Sequence, residues 1–78
     1  MFEKFTHPQI KEGDKFADSN NTTVTIKSMY IWIGVKLVYH ESEPKTGPVY
    51  GWDTNIDVFL ADIASGALIP TEQTHVTN

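Results

Sequence analysis

The chain has 78 residues, of which 40% are apolar, 12% aromatic and 21% charged; that is the make-up of one folded domain and not of a disordered chain. It has no cysteine, which excludes disulfides, thiolate metal sites and cysteine nucleophiles, and no arginine, the side chain best suited to bidentate contact with guanine or phosphate. The net charge of −4 is uneven: residues 1–40 hold five lysines against four carboxylates, residues 41–78 one lysine against six, so the second half would be repelled by a phosphate backbone.

The N-terminal stretch "MFEKFTHPQIKEGDKF" mixes charges with single aromatics and lacks the apolar stretch of a signal peptide. No run approaches the ~18 apolar residues of a membrane span, so a cytosolic protein with no membrane contact is expected. Pro8 breaks any helix in residues 1–11, and Phe2, Phe5 and Ile10 are expected to anchor that segment. Gly13 and Asp14 suit a turn, and Lys15 to Asp18 a short strand. The cluster Ser19, Asn20, Asn21 then reads as a hairpin turn.

Residues 23–32 are rich in β-branched and aromatic side chains and read as a strand. Strict alternation puts Val24, Ile26, Ser28, Tyr30 and Trp32 on one face, with Thr23, Thr25, Lys27 and Met29 on the other. Ile33 and Gly34 mark a tight hairpin turn or a strong bend in one strand. A second strand follows, with Val35, Leu37 and Tyr39 on one face and Lys36, Val38 and His40 on the other. Residues 41–48 read as a polar loop, and 49–52 as a short edge strand after Pro48.

"GWDTNIDVFLADIASGALIP" reads as a helix. Thr54 is the expected N-cap, with Asp53 and Asp57 at the positive end of the helix dipole. Ile56, Phe59, Leu60 and Ile63 form one apolar stripe, and Val58 lies off it. Gly66 stops the helix and Leu68 packs back on its last turn. Residues 67–69 suit a brief closing strand, and 71–78 a frayed tail. The expected fold is α+β, mainly β, in a single domain with an ordered core over about residues 12–69. It is a small antiparallel meander or SH3-like half barrel of four to five short strands, closed by one C-terminal helix over about residues 54–65.

No motif carries an evident chemistry. His7, His40 and His75 sit in three different segments without ligand spacing and are read as exposed or edge residues. The carboxylates do not pair for acid–base work, no serine lies in a nucleophile elbow, and the five glycines form no phosphate loop. No catalytic, cofactor-binding or metal residue is assigned, and no enzyme is expected.

The strings Gly13-Asp14-x-Phe16, Val24-Thr25-Ile26-x-Ser28 and Val35-x-Leu37-x-Tyr39, followed by a helix with Ile56, Phe59, Ile63 and Gly66-x-Leu68, carry a resemblance over roughly residues 12–69. They resemble small uncharacterised proteins of prophages and other mobile elements that have short SH3-like or KOW-like β cores. The resemblance implies a fold and a genomic setting, and no catalytic residue carries over. The basic residues of a ribosomal KOW module are largely missing.

What stands out is the aromatics. Tyr30, Trp32, Tyr50 and Trp52, joined by Val58 on the helix, are the candidate partner-binding surface, for an unidentified protein partner or for a homodimer. The alternative is a single-stranded nucleic-acid or RNA platform on Lys27, Trp32 and Lys36. Nucleic acid is disfavoured by the charge balance. A DNA-mimicking inhibitor would need denser carboxylates than the second half has.

Overall fold

The computed structural model describes residues 2–72. The elements run β1 (Glu3–Lys4), β2 (Lys15–Ala17), β3 (Thr23–Trp32), β4 (Val35–Glu43), β5 (Tyr50–Asn55), α1 (Ile56–Ser65) and β6 (Ile69–Glu72). They form one antiparallel sheet in the order β5-β4-β3-β2-β6, with β1 paired to β3. The protein is α+β and mainly β, as its sequence implies. The sheet has six strands where four to five are expected, and it is not closed into a barrel: β5 and β6 lie at opposite edges.

Strand β3 organises the molecule. Along one side it pairs with β4 over its whole length, through the turn at Ile33 (φ 49°) and Gly34 (φ 74°). Left-handed backbone at both central residues matches the twist of the strands, and glycine enters it without cost. Along its other side β3 is covered piecewise. β2 pairs with Thr23 to Thr25 and β1 with Tyr30 and Ile31. Between them the Ile26 N–H donates to the Asp14 carbonyl, and its own carbonyl accepts from Gly13 N–H. The Met29 N–H donates to Glu12 Oε2 at 3.3 Å. Every patch comes from a turn or a two- to three-residue strand, so β3 is satisfied without one long neighbour.

Where the cover changes, the register slips between Ile26 and Ser28 against β4. One residue is absorbed there, and the face of every later side chain is exchanged. Val24 and Ile26 are buried before the bulge, and Met29 after it. The strict alternation expected for β3 therefore fails at Lys27. Ser28, Tyr30 and Trp32 do not share a face with Val24 and Ile26; they point to the opposite side.

The core lies on one face, among Ile10, Phe16, Val24, Ile26, Met29, Val38, Ile56, Phe59 and Leu68. Helix α1 supplies Ile56 and Phe59, with Leu60 and Ile63 packed against the cluster, so the expected stripe is the buried one. Phe16 and Phe59 meet edge to face at 5.6 Å. The helix starts two residues later than expected. Thr54 is the last but one residue of β5 and its hydroxyl is hydrogen-bonded with His40 Nε2, which leaves the cap to Asn55, whose side chain accepts the Asp57 N–H at 2.8 Å. At the other end Gly66 (φ 87°) donates to the Ile63 carbonyl, Leu68 N–H donates to the Asp62 carbonyl, and Leu68 is buried. Of the expected N-terminal anchors Ile10 is buried and Phe5 partly so, whereas Phe2 is exposed. The expected loop begins three residues late because β4 runs on to Glu43, and a closing strand forms beside β2 as β6, two residues later than the expected 67–69 and running through Pro70. His75 and most of the expected frayed tail lie outside the described residues.

Candidate functional site

The bulge at Lys27 puts aromatic side chains on the face of the sheet opposite the helix. Tyr30 pairs with Leu37, and Trp32 with Val35. Beside them Phe2 stacks on Tyr30 with ring centroids 5.0 Å apart. Across the next strand the Tyr30 hydroxyl donates to Asp53 Oδ1 at 2.5 Å. Phe2, Tyr30, Trp32, Leu37 and Asp53 line a shallow groove of about 290 Å³. Trp32 is 51% exposed and Phe2 53%. At the hairpin tip Ile33 holds a left-handed backbone that a β-branched residue adopts at a cost, and its side chain is almost fully in solvent.

Asp53 is the one charged residue among those lining the groove. Lys4, which pairs with Tyr30, is engaged with Glu12 Oε2 at 2.7 Å and Ser28 Oγ at 2.8 Å. Its charge holds the Glu12 carboxyl below the usual carboxylate range, by hydrogen bonding first, against an opposing burial effect. The Tyr30 phenol is pushed above its ordinary value, first because it donates to Asp53, then by burial and by the Asp53 charge. Tyr30 is thus a neutral hydrogen-bond donor at pH 7.

A second cleft, of about 300 Å³, opens on the helix side between β5, α1 and the turn before β3, with Asp18, His40, Ser42, Trp52 and Asp62 in its walls. His40 is buried, contrary to the exposed or edge position expected of it. It sits between Trp52, edge to face at 5.2 Å, and Phe59 at 5.5 Å. Its Nε2 lies 2.8 Å from Thr54 Oγ1, and its Nδ1 has no partner. Burial pushes the imidazole below its ordinary value, with the Asp53 charge pulling the other way, so the ring is neutral at pH 7. In a nucleophile–base–orienter triad the far imidazole nitrogen is held by a third group, and among the described residues His40 Nδ1 has no such partner. Among the described residues no three His, Cys, Asp or Glu side chains converge on a metal position, and no helix is long and apolar enough to cross a membrane.

The five residues of the expected surface therefore fall into two places. Tyr30 and Trp32 share the outer groove. Tyr50 and Trp52 sit on edge strand β5 opposite Ser42 and His40, on the helix side, and Val58 is exposed on α1. The expected nucleic-acid platform is divided as well. Lys36 lies 5.6 Å over the Phe5 ring, Lys27 pairs with Glu41 at 3.9 Å, and neither lines the groove of Trp32. Phe2, Asp53 and His40 are the site residues that sequence reasoning missed. The bulge has no signal in the sequence, because residues 29–33 are all apolar or aromatic and fit either phase; the buried positions Val24, Ile26 and then Met29 change parity only in the structure.

The class of the protein is thus given by its fold, an open antiparallel sheet with one helix on one face. No protein-family model, curated protein or solved structure matches the chain.

Proposed function

We propose that the chain is a non-enzymatic interaction module that docks a protein partner on the outer face of its sheet, around Tyr30 and Trp32. One observation carries this reading: an aromatic groove lies on the face opposite the helix, with Trp32, Phe2 and Val35 all exposed. Exposed aromatics add little to folding, and a contiguous apolar patch is characteristic of contact surfaces. The strained, solvent-facing Ile33 beside them extends the patch. An accessory role in a bacteriophage or mobile element is part of the proposal and rests on the motif resemblance; a cytosolic setting is proposed with it because the sequence shows no signal-peptide or membrane-span pattern.

Affinity capture from host lysate, with wild type, Trp32→Ala and Tyr50→Ala compared, tests the docking face. The expected outcome is one partner lost with Trp32→Ala and kept with Tyr50→Ala, both variants retaining the wild-type circular dichroism spectrum. Capture that Trp32→Ala leaves unchanged would count against the outer face. A concentration-dependent dimer in sedimentation, abolished by Trp32→Ala, would identify a second copy as the partner.

A further inference from the structure

We infer that the outer groove receives an alkylammonium head, the end of a lysine side chain presented by the partner; this rests on the docking reading above. The lining explains the choice. Phe2, Tyr30 and Trp32 offer aromatic rings, whose faces are electron-rich and attract cations. Asp53 is the single charged side chain in the groove, and it is a carboxylate. Its Oδ1 accepts the Tyr30 hydroxyl, while its Oδ2 has no hydrogen-bond partner among the described residues and is open to an N–H donor. Lys4, paired with Tyr30 across β1 and β3, is held by Glu12 and Ser28 and is not among the residues lining the groove.

Size narrows the ligand further. About 290 Å³ is just below the ~300–1,000 Å³ range of pockets that enclose whole small molecules. The groove is open to solvent, so it suits the tip of a chain more than a free ligand. An apolar stem over Leu37 with a cationic end against Asp53 matches the shape of a lysine side chain, which buries its methylenes and keeps its charge polar-solvated. The acceptor at Oδ2 favours a head that still carries N–H, so a quaternary ammonium is disfavoured.

The test is an NMR titration of the isotope-labelled, full-length protein with n-butylammonium, the lysine head and stem alone. 1-Butanol serves as the neutral control and tetramethylammonium as the cation without N–H. Amide shifts at Tyr30, Trp32, Leu37 and Asp53 are expected with n-butylammonium in the millimolar range. They should weaken roughly three- to ten-fold for 1-butanol and for Asp53→Asn, as one cation–aromatic contact and one exposed ion pair imply. Tetramethylammonium should also be weaker. Equal response to 1-butanol, or no effect of Asp53→Asn, would overturn the cationic ligand. Absence of any shift in the groove would overturn it as well. Loss of partner capture by Trp32→Ala in either of those cases would leave the docking face standing without its lysine, so the two failures are distinguishable.

Discussion

The two faces of the sheet are built from the same strands and are asked opposite things. On the inner face Phe16, Ile26, Met29 and Val38 are almost wholly buried beneath Phe59 and Ile10. On the outer face Trp32 and Val35 lie open while Tyr30, Leu37 and Tyr39 are half-buried. The centre of the inner face uses aliphatics and phenylalanines, and the buried polar side chains His40 and Ser42 lie where β4 meets edge strand β5. The outer face around β3 uses tyrosine and tryptophan, whose polar ends stay wet. Apolar character alone therefore does not locate the core of this protein. The phase of one strand does.

The harshest way to break the contrast is to put a charge on the inner face beside the bulge. Ile26 is wholly buried, and Ile26→Asp would leave an unpaired carboxylate in the core. Loss of cooperative thermal unfolding is expected. Deletion of Lys27 should keep it, because Ile26, Ser28 and Met29 then alternate strictly in the register they already hold against His40, Tyr39 and Val38. A Lys27 deletion that abolishes the transition would mean that the bulge does more than absorb one residue. Next, Phe59→Ala should cost about 3–5 kcal/mol in urea unfolding, as for other large buried aromatics, while Trp32→Ala stays within about 0.5 kcal/mol. Similar costs for both would erase the distinction between core and contact face.

A smaller effect sharpens the outer face itself. The Tyr39 ring lies across Gly51, where an added Cβ would sit 2.9 Å from Tyr39 Cζ. Gly51→Val should cost about 1–3 kcal/mol by crowding. Part of this should be recovered in a Tyr39→Ala background, and a double-mutant cycle with no coupling would refute the contact.

Titration separates the faces with the smallest effects. His40 on the inner face has its pKa lowered by burial, so its contribution is complete above about pH 6.5 and is lost as pH falls through the folded-state value. Tyr30 on the outer face has its pKa raised by Asp53, so its contribution is complete below about pH 10 and is lost as pH rises through the folded-state value. Melting temperature followed against pH should fall less steeply on the acid side for His40→Gln, once the acid limb shared with Glu12 is allowed for, and less steeply on the alkaline side for Tyr30→Phe.

Much of the fold is legible in the sequence because it is local. The Ile33-Gly34 turn, the apolar stripe of α1 and its glycine stop each depend on a few adjacent residues. What escapes depends on distant partners. Two residues of β1 carry no pattern of their own and become a strand only by lying against Tyr30 and Ile31. Thr54 looks like a cap until His40, from another strand, takes its hydroxyl. Asp53 reads as a helix-dipole charge, yet it sits in β5 and holds Tyr30. Of the proposed site, Tyr30 and Trp32 are legible as aromatics, but the groove joining them to Phe2 and Asp53 depends on pairings across four chain segments.

The two edges of the open sheet differ in a way that bears on how the chain behaves when crowded. In β6 the residue opposite Phe16 is Pro70, which has no N–H to offer an incoming strand. Edge β5 has no proline from Tyr50 to Asn55 and keeps its full set of backbone donors. Head-to-tail stacking, β5 of one molecule on β6 of the next, would need both edges and meets the proline every time. Stacking of β5 on β5 needs only one and stops at two molecules. The position of a single proline thus disfavours endless fibre growth while leaving a pairwise arrangement open.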